Sequence, residues 1–177
     1  MIYVALLRGI NVGGNAKIEM SKLKTVFESL DCKDVVTYIN SGNVIFQDNR
    51  SEEELVPLIE AAIAKDFKLN VRIVLRDLDN IRTLCLKIPT SWTNDSQQRT
   101  DVLFLWEEID SAGILKKIVI NKDLENVRYI ASALVWNTDR KNVFRGSTVK
   151  LIKTDFYKHM TIRNINTVRK LYELMSR

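Results

Sequence analysis

The tightest constraint on this chain is its opening. An apolar run from Ile2 to Leu7 is cut off at Arg8-Gly9, and no helical pattern follows until about Ser21. Such a run reads as a buried strand, and the break reads as a loop. Roughly a dozen residues then join strand to helix, where two to six is usual. Gly9, Gly13 and Gly14 permit left-handed backbone and close approach to a ligand. Successive N–H groups in such a turn can form a concave anion nest, with Arg8 supplying charge and Asn11 and Asn15 supplying amides. The alternative is an Ω-like loop packed on its own side chains.

The rest of the chain alternates short strand and helix signals. Ser21 is placed to cap a helix carrying Leu23, Val26, Phe27 and Leu30 at helical spacing. Val35–Ile39 and Val44–Phe46 read as paired strands joined by the turn Asn40-Ser41-Gly42-Asn43. Ser51 and Glu54 form a capping-box pattern for a second helix, although Pro57 at its sixth position removes a backbone donor. Val71–Leu75 reads as a fourth strand, completing β-α-β-β-α-β, the order of a ferredoxin-like unit.

A helix at about Leu78–Leu86 leads to Pro89 and the polar stretch Thr93–Gln98, the best boundary. Beyond it, Val102–Trp106 reads as a strand and Asp110–Val119 as a helix. Val127–Ile130 and Leu134–Trp136 read as a hairpin, and residues 148–158 and Asn164–Met175 as helices. The fold expected is α+β: a ferredoxin-like unit over residues 1–88, then a second, related α/β unit and C-terminal helices over residues 89–177, the whole either two domains or one compact unit. The second half lacks an obvious final strand. No residue-level repeat is evident, so duplication is a matter of topology alone.

Sheet order 4-1-3-2 brings distant loops together. The loop after strand one, the turn between strands two and three and the approach to strand four all fall at one sheet edge. Arg8, Asn11 and Asn15 are therefore expected beside Asn40, Ser41, Gly42 and Asn43. Turns favour Asn and Gly on their own account, so each loop singly is also explicable as structure.

The 177 residues are 46% apolar and 28% charged, enough for a real core and close to an ordinary globular chain. Met1 runs straight into a strand without a basic leader, and no apolar run approaches the roughly 18 residues of a membrane span. Cys32 and Cys85 stand alone and read as free, buried thiols. The protein is expected in the cytoplasm, with no metal, no cofactor and no membrane partner.

Net charge is +5, and all of the excess lies in the second half. From Arg140 onward, 10 basic residues face only Asp155 and Glu173. Such a quarter fits a phosphate-bearing partner or, equally, a solvated face. Near its end, Arg163 and Asn164 sit where the last helix is expected to start, a position suited to an anion. An ordinary capped helix whose Arg163 pairs with a carboxylate is the alternative.

Three motifs carry a family resemblance: Leu7–Asn15, Tyr38–Val44, and Thr161-Ile162-Arg163-Asn164 followed by Thr167. Together they resemble the bacterial family called domain of unknown function 1697. That family commonly places an aromatic after the Arg-Asn pair, where this chain has Ile165. The resemblance implies an α+β fold in one full-length unit and no particular reaction.

Familiar chemistries do not fit. The glycine loop matches neither Gly-x-x-x-x-Gly-Lys-Ser/Thr nor Gly-x-Gly-x-x-Gly. His159 is the only histidine and has no nucleophile beside it in sequence. No acidic pair lies in the motif loops to act as acid and base. The leading expectation is binding of an anionic, phosphate-bearing small ligand by the Arg8–Gly14 loop. Nucleic acid along the basic C-terminal quarter is the second, and a protein-interaction module or homodimer the third.

Overall fold

The computed structural model describes residues 1–14 and 16–177, so Asn15, one of the expected site residues, lies outside the described residues. The chain divides into two compact units, Met1–Asn80 with Leu171–Arg177, and Ile81–Lys170.

In the first unit β1 is Ile2–Leu7, α1 Met20–Ser29, β2 Lys33–Tyr38, β3 Asn43–Gln47, α2 Glu52–Phe67 and β4 Ile73–Asp77. The sheet is antiparallel in the order β2-β3-β1-β4, the ferredoxin-like order expected. Alternation sorts the residues of β1 between two faces. Tyr3, Ala5 and Leu7 join Leu23, Phe27, Leu55, Ile59 and Ile63 in a core beneath the two helices. Val4 and Leu6 lie on the opposite face and are also fully buried. The strand is therefore apolar throughout, because neither face meets water.

Local chemistry sets most boundaries. The Ser51 hydroxyl accepts from the Glu54 N–H, and the Glu54 carboxylate accepts from the Ser51 N–H, so the capping box starts α2 as the pattern suggests. Pro57 does not break that helix, which runs on to Phe67. Glu53, whose carbonyl loses its partner there, is on the exposed side, where solvent can take up the lone pair. Ser21 does not cap α1: the helix begins at Met20 behind Glu19, and the Ser21 hydroxyl donates to the Glu19 carboxylate at 2.6 Å.

In the second unit β5 is Gln98–Leu105, β6 Glu125–Ile130, β7 Ala133–Asp139 and β8 Met160–Asn164, in the order β6-β7-β5-β8. That is the order of the first sheet repeated. The missing final strand exists: it is β8, whose five residues pair with β5 from Asp101 to Leu105. Residues 110–119 are not an α-helix but lie among 3-10 turns at Glu107–Ile109 and Ala112–Lys116. Residues 148–158 form the four-residue α4, Thr148–Leu151, and a 3-10 turn at Asp155–His159. Helical periodicity marks the buried side of a turn without fixing its pitch.

The remaining helices, α3 (Leu78–Lys87) and α5 (Ile165–Met175), each follow directly from the last strand of a sheet. The two junctions resemble each other: Arg76-Asp77-Leu78-Asp79-Asn80 aligns with Arg163-Asn164-Ile165-Asn166-Thr167, the arginine being identical and the other positions similar in character. The Asp77 carboxylate accepts from the Asn80 N–H at 2.7 Å, and the Asn164 amide oxygen accepts from the Thr167 N–H at 2.9 Å. Both arginines stand opposite a valine of the central strand, Val4 and Val102, and both are nearly buried. The two units thus share the chemistry of this junction as well as the order of their strands.

One ionic clasp closes the first unit. Arg50 donates to both Asp48 carboxylate oxygens, at 2.9 and 2.6 Å, and to the Leu30 carbonyl at 2.7 Å, tying the end of β3 to the end of α1. The Arg50 guanidinium, above all through these hydrogen bonds, holds the Asp48 carboxyl well below the usual carboxylate range. A carboxyl depressed in the folded state stabilises above its unfolded value, near 4, and that contribution fades as pH falls toward the folded value. Asp48→Asn is therefore less stable than the native chain at neutral pH, and the gap closes below about pH 4. Urea unfolding as a function of pH checks this; a gap independent of pH would show that the pair's charge contributes nothing.

Candidate functional site

The expected convergence of loops is present at the end of β1. The Leu7 N–H donates to the Gly42 carbonyl at 2.8 Å, and the Arg8 N–H donates to the Arg72 carbonyl at 3.0 Å. The loop after β1 thus leaves between the β2–β3 turn and the approach to β4. Ile10 then turns back inward and is 1% exposed.

Asn11 holds the loop closed. Its side-chain N–H groups donate to the Ile18 and Asn40 carbonyls at 2.9 and 2.8 Å, and its oxygen accepts from the Ile18 N–H at 2.8 Å. The residue itself is left-handed, with φ 54°, a conformation asparagine tolerates better than most. In the neighbouring turn the Asn43 amide donates to the Tyr38 carbonyl and the Ser41 hydroxyl. Both N–H groups of each amide are therefore committed to protein acceptors. Asn11 and Asn43 position the loops rather than offering donors to a ligand.

Gly42 is required for a different reason. Its φ is +77°, and a Cβ there would lie 2.7 Å from Ile10 Cδ1 and 2.8 Å from Leu7 Cβ. Gly9, Gly13 and Gly14 are also left-handed, yet each faces open space. The first glycine serves packing of the turn against the loop, whereas the other three leave bare backbone at the surface.

Beside that backbone lies an open groove of about 640 Å³ bordered by Asn11, Gly14, Lys17, Ile18, Glu19, Met20, Lys22, Asn40 and Phe67. Its cations are Lys17 and Lys22; Arg8 is half-buried and does not line it. Lys22 is 3.2 Å from Glu19, and the Ser21 hydroxyl, more than Lys22, holds the Glu19 carboxyl below its ordinary range. Two ammonium groups against one carboxylate leave the groove net positive. Lys17 was legible in the loop, but no local pattern could have linked Phe67, at the end of α2, to it.

Arg163 and Asn164 belong to the second unit and stand differently from the sequence reading. Arg163 lies within β8, two residues before the helix, and donates to the Thr161 hydroxyl at 3.1 Å and the Ile162 carbonyl at 2.8 Å. Burial pushes its guanidinium down to about 10, still protonated at neutral pH. Its expected place at a helix N-terminus open to an anion is thereby corrected: at 7% exposure it is an interior cation. Asn164 spends its oxygen on the Thr167 N–H. Ile165, where the resembling family commonly has an aromatic, is fully buried. Among the described residues no group of three or more His, Cys, Asp or Glu side chains is arranged to hold a metal ion.

Fold and loops together define an α+β protein made of two related α/β units, the first of them ferredoxin-like and carrying a glycine-rich loop tied to its sheet edge. The sequence model of the family described as protein of unknown function (DUF1697) matches residues 1–136, and the chain belongs to that family. The Leu7–Asn15 and Tyr38–Val44 motifs lie inside the matched region and the Arg163 motif lies outside it. A solved structure, that of the conserved bacterial protein SP0830 from Streptococcus pneumoniae, is 28% identical and covers 98% of each chain with a TM-score of 0.85. No curated protein matches the chain.

Substitutions separate the two kinds of glycine. Gly42→Ala should cost more than about 2 kcal/mol, since strain and overlap add, whereas Gly14→Ala should cost about 1 kcal/mol from strain alone. Asn11→Ala should cost about 2 kcal/mol by orphaning three backbone groups. Urea denaturation of the three variants measures this, and equal losses at Gly42 and Gly14 would remove the packing role of Gly42.

Proposed function

We propose that this protein binds an anionic, phosphate-bearing small ligand in the groove beside the Gly13-Gly14 backbone. The observation that carries the reading is the groove itself: its volume of about 640 Å³ falls within the range of small-ligand sites, and Lys17, Lys22 and open glycine backbone border it. Lys17 and Lys22 attract the anion, Gly14 lets it approach the main chain, and the exposed Asn40 side chain can donate a hydrogen bond. Phe67 and Met20 supply an apolar surface for the rest of the ligand. Arg8 acts from the same end of the sheet by adding positive potential. Glu19 limits affinity for highly charged polyanions, because its carboxylate borders the same groove.

Cytoplasmic residence is part of the proposal. Cys32 and Cys85 are unpaired, and burial pushes both thiols up to about 11, so neither is a ready thiolate at neutral pH. No helix among the described residues is long and apolar enough to cross a membrane.

A thermal-shift screen of nucleotides and phosphorylated metabolites tests the site. A saturating ligand should raise the melting temperature by about 5 °C or more, and moderate salt should not abolish the shift. Lys17→Ala should remove most of it and Arg8→Ala a smaller part. Failure of every anion to shift the native protein, or shifts unchanged in both variants, would overturn the reading.

A further inference from the structure

The second unit carries a surface of another kind. Residues 140–154 fold as a succession of tight turns, with the Arg145 N–H on the Asn142 carbonyl at 2.8 Å and the Lys150 N–H on the Ser147 carbonyl at 2.9 Å. This segment is fastened from beneath. The buried Glu125 carboxylate accepts from the Ser147 N–H at 2.8 Å and from the Trp136 indole N–H at 3.0 Å. The Ser147 hydroxyl accepts from the Asn121 N–H at 2.8 Å. A Cβ on Gly146 would overlap Glu125, so the backbone sits directly on the carboxylate. Leu151 adds an apolar anchor at 4% exposure.

With its underside fixed, the segment holds apolar side chains outward. Phe144 is 92% exposed, Ile152 55% and Val149 46%. Val149 and Ile152 are three residues apart on one turn and so are neighbours on its outer side. Phe144 precedes them by five and eight residues in the same turn-rich segment. Three large apolar groups held in water by a well-fastened segment are an interaction surface rather than a frayed loop.

Within the segment the charge has one sign, although Asp139 and Asp155 flank it and pair with Lys141 and Lys158. Between Arg140 and Thr154 there are five basic residues and no acidic one. Arg140 is engaged with the Asp95 carbonyl and Asn94, and Lys141 lies 3.7 Å from Asp139. Arg145, Lys150 and Lys153 have no ion pair among the described residues. The partner must therefore be anionic and must also accept apolar side chains.

We propose that this segment docks on an anionic lipid bilayer, with Phe144, Val149 and Ile152 entering the headgroup boundary and Arg145, Lys150 and Lys153 held by lipid phosphates. Single-stranded nucleic acid fits less well. Two of the three apolar groups are aliphatic and offer no face for base stacking, and Phe144 projects from the surface instead of lining a groove. The proposal does not rest on the Gly14 groove, which lies in the other unit and is unaffected by the substitutions below. It revises the expectation of no membrane partner, which addressed spans and leaders rather than surfaces.

Flotation with vesicles tests it, using phosphatidylcholine alone and phosphatidylcholine mixed with phosphatidylglycerol at low and high salt. The native protein should float only with the anionic vesicles, less so at high salt. The double variant Phe144→Asp/Ile152→Asp, whose altered positions are exposed, should lose about tenfold or more in partitioning while keeping its circular dichroism. Lys150→Glu/Lys153→Glu should abolish flotation. Absence of flotation at low salt overturns the proposal. So does flotation indifferent to the aspartates, which would be adsorption by charge alone. Retention of a single-stranded oligonucleotide that the aspartates abolish, with vesicles ignored, would assign the surface to nucleic acid.

Discussion

Two main-chain hydrogen bonds at the end of the first strand govern what this protein can present. The Leu7 N–H reaches the Gly42 carbonyl and the Arg8 N–H reaches the Arg72 carbonyl, so the strand end is tied to both of its neighbours. The second unit repeats the pair, with the Leu105 N–H on the Ser132 carbonyl and the Trp106 N–H on the His159 carbonyl, both at 3.1 Å. Anything that follows either strand must leave from an anchored point between two loops. In the second unit a 3-10 turn follows at once, at Glu107–Ile109. In the first, a long glycine loop takes the same position. One scaffold, used twice, bears a candidate binding loop in one copy and a closed corner in the other.

The same economy governs the buried arginines. Arg76 and Arg163 occupy the same register in the last strand of each sheet, and each donates to the carbonyl of the preceding residue. Desolvating a guanidinium is costly unless its donors are met. Arg76 also lies 3.5 Å from the Glu52 carboxylate, while Arg163 uses the Thr161 hydroxyl. Directly after each arginine comes an Asp or Asn that caps the next helix. The strand-to-helix junction is thus specified by a five-residue unit, and its polarity serves the interior of the protein.

Amide accounting separates framework from site in the glycine loop. Asn11 and Asn43 were attractive as ligand donors because turns rich in amides often bind anions. Their N–H groups are instead spent on Ile18, Asn40, Tyr38 and Ser41, which, with the buried Ile10 and Ile18, fasten the loop to the sheet edge. Next to them lie Lys17, Lys22 (paired with Glu19) and the open glycine backbone. The loop is therefore packed structure, and the groove beside it is the surface on which the proposed binding rests.

The sequence by itself determined the first sheet, the capping box of α2 and the meeting of the Arg8 and Asn40–Asn43 loops. Strand alternation, turn residues and the single ordering of a β-α-β-β-α-β chain are local signals with one compact solution. It did not determine β8, since Met160–Asn164 is five residues long and runs without a break into a helix whose periodicity masks it. Nor could it show that Arg163 is interior, because an arginine beside helix caps looks the same whether solvent or protein surrounds it. The groove residues Met20 and Phe67 and the outward Phe144 were settled by tertiary structure alone. Burial is a property of what folds over a residue, and the chain segments that do so are remote in sequence.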